Sequence, residues 1–378
     1  MKARLIALLL ALVMMLSMAG CGNTENNAEN TAENNAENTT SAAQTPAASS
    51  GDASREDYIF TDDSGREVEV PGEITSFVPS GPLAQIVLFA LAPEMFVGLA
   101  TEWNSSAEGI IADEYFGLPY FGQLYGSADL NVEELALADP QLIIDIGEAK
   151  SSIIEDLDTL QTQTNIPTVF VSATLETMPE TYRKLGALLG KEEKAEILAQ
   201  FCENVYDRTL SIMEEVGDNK VNALYVIGED GLNVLANGSY HAELIDLLTN
   251  NLAVVSDPVS KGTGNAVDME QISLWNPDFV IFAPGSIYSS VAEMDTWSEI
   301  TAIANNNYIE VPEGPHNWMG SPPSVQRYLG LIWLPATLYP DYCDYDVKAE
   351  IVEYYELFYG CELTDAQYDA LTANAFLK

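Results

Sequence analysis

The run from Gly314 to Arg327, Gly-Pro-His-Asn-Trp-Met-Gly-Ser-Pro-Pro-Ser-Val-Gln-Arg, gathers an imidazole, an amide, an indole and a guanidinium into one loop and the start of a helix. Such a set recognises a ligand by hydrogen bonds and a flat apolar face. Trp318 is either a ligand platform or an anchor that packs the loop. His316 either reaches a chelated iron or cobalt or bonds within the loop, and Arg327, expected one turn into the helix, either meets an anionic ligand or neutralises nearby carboxylates. Three further loops supply similar groups: Pro79-Ser80-Gly81-Pro82, Leu124-Tyr125-Gly126-Ser127 and Ala236-Asn237-Gly238-Ser239-Tyr240. From these, Ser80, Gly81, Tyr125, Asn237, Ser239, Tyr240, His316, Asn317, Trp318 and Arg327 are the candidate ligand-binding residues.

The elements that must hold these loops alternate strand and helix. Thr61 to Pro71 reads as a hairpin, with alternating Glu and Val after a Ser-Gly turn. Strands are expected at 77–79, 96–100, 142–146 and 168–171, and helices at 83–91 and 152–160. Residues 177–216 read as helix, interrupted at Gly190-Lys191 and continuing with apolar residues at helical spacing (Ala195, Leu198, Phe201, Cys202, Val205, Ile212, Met213). Alternation resumes with strands at 223–227, 279–282 and 308–311 and helices at 241–248 and about 325–338. The expected fold is α/β: two parallel-sheet αβα lobes joined by a single long helix, with a ligand cleft beyond the carboxyl ends of the strands. The expected boundaries are 57–176 for the first lobe, 177–216 for the linking helix and 217–378 for the second lobe with its C-terminal helices. One helix between lobes offers few residues to absorb a hinge motion, so little hinging is expected.

With 378 residues and 47% apolar content, the chain can fill two such cores. A formal net charge of -43 excludes a phosphate-tracking surface and hence nucleic acid as partner. Met1-Lys-Ala-Arg, an apolar run from Leu5 to Met18 and Ala19-Gly20-Cys21 form a signal peptide over 1–20. Cys21 after small residues resembles the acylation site of a bacterial lipoprotein, which implies a membrane anchor outside the cytoplasm. Residues 21–56, rich in Asn, Glu, Thr and Ala, read as a tether too polar to form a core. Outside the membrane a Cys343–Cys361 disulfide is permitted but not required.

Two segments share one register: Asn131-Val-Glu-Glu-Leu-Ala-Leu-Ala-Asp-Pro-Gln-Leu-Ile-Ile and Val267-Asp-Met-Glu-Gln-Ile-Ser-Leu-Trp-Asn-Pro-Asp-Phe-Val-Ile. In each, a Glu opens a short helix, a Leu follows four later, a Pro seven later, and then a strand. This pattern implies duplicated lobes. Together with Thr61-Asp-Asp-Ser-Gly-Arg-Glu-Val and Leu185-Gly-Ala-Leu-Leu-Gly-Lys-Glu-Glu-Lys-Ala, it resembles the class III solute-binding proteins of ABC importers, the group with cobalamin-, siderophore- and haem-binding lipoproteins. The resemblance covers residue 57 to the C-terminus. It implies that Glu133 and Glu270 dock onto arginines of the two permease subunits, which a cytoplasmic ATPase powers, and that an aromatic near Trp318 lies in the cleft. Helix-dipole stabilisation also accounts for a Glu at either position.

The expected cargo is a small-molecule metal chelate (iron-siderophore, haem or corrinoid), with a small oxyanion such as molybdate or a non-transport scaffold as alternatives. Two histidines are too few for a directly ligated zinc or manganese ion, and the low Arg and Lys count argues against a catecholate siderophore. No Gly-x-Ser-x-Gly elbow or P-loop appears, so neither catalysis nor a cofactor is expected, and the protein is expected to act as a monomer.

Overall fold

The computed structural model describes residues 56–125 and 128–377. The expected signal peptide, Cys21 and nearly all of the expected tether lie outside the described residues, as do Gly126 and Ser127. The hairpin pairs β1 (Tyr58–Thr61) antiparallel with β2 (Glu67–Val70). Val68 and Val70 are buried while the two glutamates are exposed, as period-2 alternation requires. Its turn clasps the edge of the first sheet, whose strands β3 (Phe77–Pro79), β4 (Leu142–Gly147) and β5 (Thr168–Ser172) run parallel in that order. The Asp63 amide donates to Phe170 O, while Phe170 N donates to Asp62 Oδ2 and Ser172 N to Asp63 Oδ2. Unpaired β5 groups that would otherwise template another strand are thereby used up.

Helices α1 (Pro82–Leu91), α2 (Val132–Ala138), α3 (Ile153–Thr164) and α4 (Met178–Leu189) accompany this sheet. The strand expected at 96–100 is reduced to isolated bridges, Phe77 with Phe96 and Leu99 with Tyr120. Between them the Phe121 ring lies where a side chain at Gly98 would stand, with a Cβ there only 2.0 Å from the ring. Phe96 instead joins Phe77, Phe89, Trp103 and Tyr115 in an edge-to-face aromatic cluster.

Gly190, at φ 65°, ends α4, and α5 (Glu192–Val216) follows. α5 leads from the first sheet toward the second, and at roughly 1.5 Å per residue its 25 residues are long enough to traverse a domain. Beyond it, β6 (Asn222–Ile227) is central to a six-stranded sheet. It runs parallel to β10 (Phe279–Phe282), which in turn runs parallel to β11 (Tyr308–Glu310), and its start pairs with β8 (Asn250–Asn251). The second sheet is not wholly parallel: β7 (Asn233–Val234) pairs antiparallel with both β6 and β9 (Asn265–Ala266). These two-residue strands fold back because Gly228 and Gly231 turn the chain at φ 85° and 68°.

Helices α6 (Glu243–Leu248), α7 (Met269–Trp275), α8 (Asp295–Ser298) and α9 (Thr301–Ala304) flank this sheet. The helix expected from His241 starts as a 3-10 turn at Tyr240–Ala242. α10 (Arg327–Leu338) packs on α5, α6 and α11 (Val347–Tyr359), and α12 (Asp365–Leu371) follows. α11 also packs against α1, so it returns to the first lobe. Cys343 and Cys361 are both free thiols.

Arg66 locks the hairpin in place. Its guanidinium donates to Asp62 Oδ2 (3.2 Å), Asp158 Oδ1 (2.8 Å), Gln161 Oε1 (3.2 Å) and Thr168 O (2.7 Å), with the Arg66 side chain 8% and the Asp62 side chain 0% exposed. Removing one partner strands the other charge in the interior. Arg66→Ala should therefore destabilise the protein by about 3 kcal/mol, read as a lower urea midpoint at unchanged slope. A loss below about 1 kcal/mol would mean that the Ser64, Arg66 and Phe170 amides suffice to hold Asp62.

Candidate functional site

The two sheets present their carboxyl ends to one another, where open α/β folds bind ligands. Hydrogen bonds cross directly between the lobes there. Tyr240 Oη donates to Ala173 O (2.6 Å), Tyr328 Oη to Leu175 O (2.6 Å), Ser324 Oγ to Leu83 O (3.0 Å) and Ser106 Oγ to Pro315 O (3.0 Å). The last places the 314–316 segment against the first lobe, where the His316 and Trp103 ring centroids are 5.8 Å apart.

Arg327 is the first residue of α10, not one turn into it, because the preceding Ser324 and Gln326 still follow a turn path. Its side chain is 0% exposed. Nη1 donates to Glu243 Oε2 (2.7 Å) and Tyr240 O (3.2 Å), and Nε to Ser324 O (3.3 Å). The guanidinium carbon sits 5.2 Å from the Tyr240 ring centroid, and a Cβ at Gly320 would come within 2.8 Å of Arg327 Cδ. Yet Nη2 is buried without a hydrogen-bond partner, as are Ser239 Oγ and His241 Nδ1 on either side of Tyr240. Buried polar atoms left unpaired in this way cost free energy unless a ligand or water meets them.

At the carboxyl ends of β6 and β10 lies a cavity of about 200 Å³, lined by Tyr225, His241, Gly262, Glu313, Asn317 and Gly320 among others. A neighbouring cavity of about 380 Å³ shares Pro284 and Glu313 with it. This second cavity runs between Ser106, Glu108 and Ile110 of the first lobe, Glu310 and Pro312 of the second, and α12. Its lining is acidic, and burial together with the Glu310 charge pushes the Glu313 carboxyl above its ordinary range.

The other candidates are placed as follows along the two lobes. Asn317 lines the smaller cavity, its amide donating to Tyr225 Oη (2.9 Å) while its Oδ1 accepts from Met319 N (2.7 Å). Ser80 is buried with its hydroxyl bonded to Asp145, whose carboxyl burial raises to about 6, and Gly81 caps α1 through backbone alone. Tyr125 donates to Asp156 Oδ2 (2.7 Å), and Asn237, on the exposed loop tip, bonds Asp246. Trp318 is corrected from platform to packing anchor. It is 0% exposed, its indole donates to Tyr355 Oη (3.3 Å), and its ring meets Trp333 edge-on at 6.2 Å. The residues that sequence reading missed are Asp145, Glu243, Glu313 and Trp103. A lone carboxylate inside the apolar strand Leu142–Gly147 was the available signal for Asp145.

Glu133 and Glu270 occupy matched positions. Asn131 caps α2 by accepting from Glu134 N (3.2 Å), and Asp268 caps α7 by accepting from Gln271 N (2.8 Å). Both helices end at a non-glycine residue in the left-handed region, Asp139 (φ 48°) and Asn276 (φ 42°), before Pro140 and Pro277. Each buries a single aliphatic side chain, Leu135 or Ile272, and leaves its glutamate exposed.

Burial lowers both histidines to about 4, aided at His241 by the positive charge of Arg327. The unfolded chain, with imidazoles near 6.5, binds more protons between those values, so their contribution to stability is full above about pH 6.5 and is lost as pH falls toward 4. Asp145 runs the opposite way, but equally in any histidine variant. The drop in thermal midpoint from pH 7 to pH 5 should therefore be smaller in His316→Gln than in the parent chain, and an equal drop in both would show that His316 protonates freely when folded.

A model of the periplasmic binding protein family matches residues 124–315, half of the chain. An ABC transporter solute-binding protein from Sulfurospirillum deleyianum is 25% identical, with 83% of this chain and 99% of that one covered at a TM-score of 0.77. A periplasmic solute-binding protein from Veillonella parvula is 24% identical over 84% and 98% of the chains at 0.68. The molybdate periplasmic binding protein MolA of Haemophilus influenzae, solved with molybdate, is 19% identical over 82% and 99% at 0.67, a likeness of fold. No curated protein sequence matches. With two α/β lobes, facing strand ends and a family match over half its length, the chain belongs to the periplasmic binding protein family, the extracytoplasmic substrate-binding proteins of ABC transporters.

Proposed function

We propose that this protein, anchored through an acylated Cys21, captures a compact metal chelate between its lobes and delivers it to an ABC permease without catalysing a reaction. The observation that carries the reading is the mixed character of the interlobe region. On one side the Nη2 of Arg327, Ser239 Oγ and His241 Nδ1 lack partners, which suits the oxygen acceptors of an organic ligand. On the other, Glu108, Glu310 and Glu313 line the larger cavity, which suits an electropositive centre. A cavity of about 200 Å³ and one of about 380 Å³, with direct hydrogen bonds between the lobes, leave little room for haem or a corrinoid. Among the described residues, no group of three or more His, Cys, Asp or Glu side chains converges to hold a bare metal ion. The second reading, a small oxyanion, draws on the same unpartnered groups of Arg327, Ser239 and His241 and has the three glutamates against it.

Calorimetric titration with ferric citrate, ferrichrome, haemin, cyanocobalamin and molybdate separates these readings. A compact ferric chelate should bind at micromolar or tighter Kd, with Arg327→Gln and Glu313→Gln each weakening it about tenfold. Binding of haemin or cyanocobalamin alone would overturn the compact-ligand reading. Tight molybdate binding that Glu313→Gln strengthens would establish the oxyanion.

Glu133 and Glu270 are the proposed permease-docking residues, one per lobe. The double charge reversal Glu133→Lys, Glu270→Lys should abolish cellular uptake while the affinity of the purified protein for its chelate stays within about twofold. Unchanged uptake would remove the assignment.

A further inference from the structure

Among the described residues, the two large apolar side chains most exposed to solvent are Leu137, at 85%, and Leu274, at 74%. They hold the same place in the two copies of the repeated segment, four residues after Glu133 and Glu270. Residues four apart share one helix face, so each leucine lies beside its glutamate on α2 or α7. Each helix already has an aliphatic anchor facing the core, Leu135 or Ile272, both 0% exposed. Neither exposed leucine belongs to a core cluster, so folding does not account for it. The ion pairs among the described residues involve neither glutamate.

Single exposed apolar residues on a protein surface need no explanation. Here, however, each of the two lobes carries an exposed carboxylate and an exposed leucine at the same spacing. One lobe presents Glu133 with Leu137, the other Glu270 with Leu274. A partner that reads both must offer the same socket twice, which a two-fold symmetric dimer does and a single-chain partner does not. The socket needs a cation for the carboxylate and, about one helical turn away, an apolar hollow for the leucine.

We propose that Leu137 and Leu274 are paired apolar docking knobs that seat in like hollows on the extracytoplasmic face of the dimeric permease, beside the cations that receive Glu133 and Glu270. This rests on the docking reading above and adds to it where short-range affinity arises. The carboxylates steer the encounter from a distance, whereas burial of the leucines slows release.

The test is the affinity of the full chain for its cognate permease–ATPase complex in nanodiscs, with Leu137→Ser, Leu274→Ser, the double variant, and Glu133→Lys with Glu270→Lys. Each serine variant should weaken binding about tenfold, mainly by faster release, and the double variant about a hundredfold, because the two sites lie on different lobes. Leu→Met at both positions should stay within about threefold of the parent chain. Thermal midpoint and chelate affinity should not move in any leucine variant. If the charge reversals abolish binding and the double serine variant binds like the parent, the docking reading stands and the leucine knobs fall. If neither set affects binding, both fall. A drop of several degrees in thermal midpoint for the serine variants would assign the leucines to the fold. A parent-chain dimer in sedimentation that the serine variants abolish would assign them to self-association. Either result overturns the proposal.

Discussion

A guanidinium sealed from water has to be neutralised and hydrogen-bonded where it lies, and the arrangement between the lobes follows from how this is done for Arg327. The ion pair to Glu243 ties the start of α10 to the start of α6, and the bond to Tyr240 O fixes the residue whose hydroxyl reaches Ala173 in the other lobe. Gly320 lies against the Arg327 stem because no side chain fits there. A single cation at the start of α10 thus holds Tyr240 and Glu243, 87 and 84 positions earlier in the chain, beside the 320–327 segment. The nitrogen left over, Nη2, is held in place by the three hydrogen bonds of Nη1 and Nε.

The linking helix and the direct bonds between lobes have a related effect. Contacts at Tyr240, Ser324, Tyr328 and Ser106 join the two lobes directly. α5 packs along both α4 and α10 and so joins helices of the two lobes. Affinity in such a protein depends less on how far the lobes close than on which polar groups they leave facing one another.

Local pattern was sufficient to read the hairpin, the strands at β3, β4, β5, β6, β10 and β11, the break at Gly190 and the matched short helices α2 and α7. Each is written within a few neighbouring residues. Of the candidate binding residues, Asn317 lines the smaller cavity, while Tyr240 and His316 meet Ala173 and Trp103 of the other lobe. Trp318 misled because its partners, Trp333 and Tyr355, come from helices that nothing in the loop itself announces. Glu313 and Glu243 were hidden among many acids, since only contact distance tells a buried carboxylate from a solvated one. β7 and β9 escaped because two residues cannot show a period.

The return of α11 to the first lobe bears on how the chain comes to be folded. Tyr354 and Phe358 stack at 4.2 Å and cover Phe201 of α5, while Phe358 also meets Tyr182 of α4 and α11 lies against α1. These surfaces are apolar, and the segment that covers them is made only after both sheets. The first lobe, although it leads in synthesis, cannot finish burying its own helices until nearly the whole of the second has emerged.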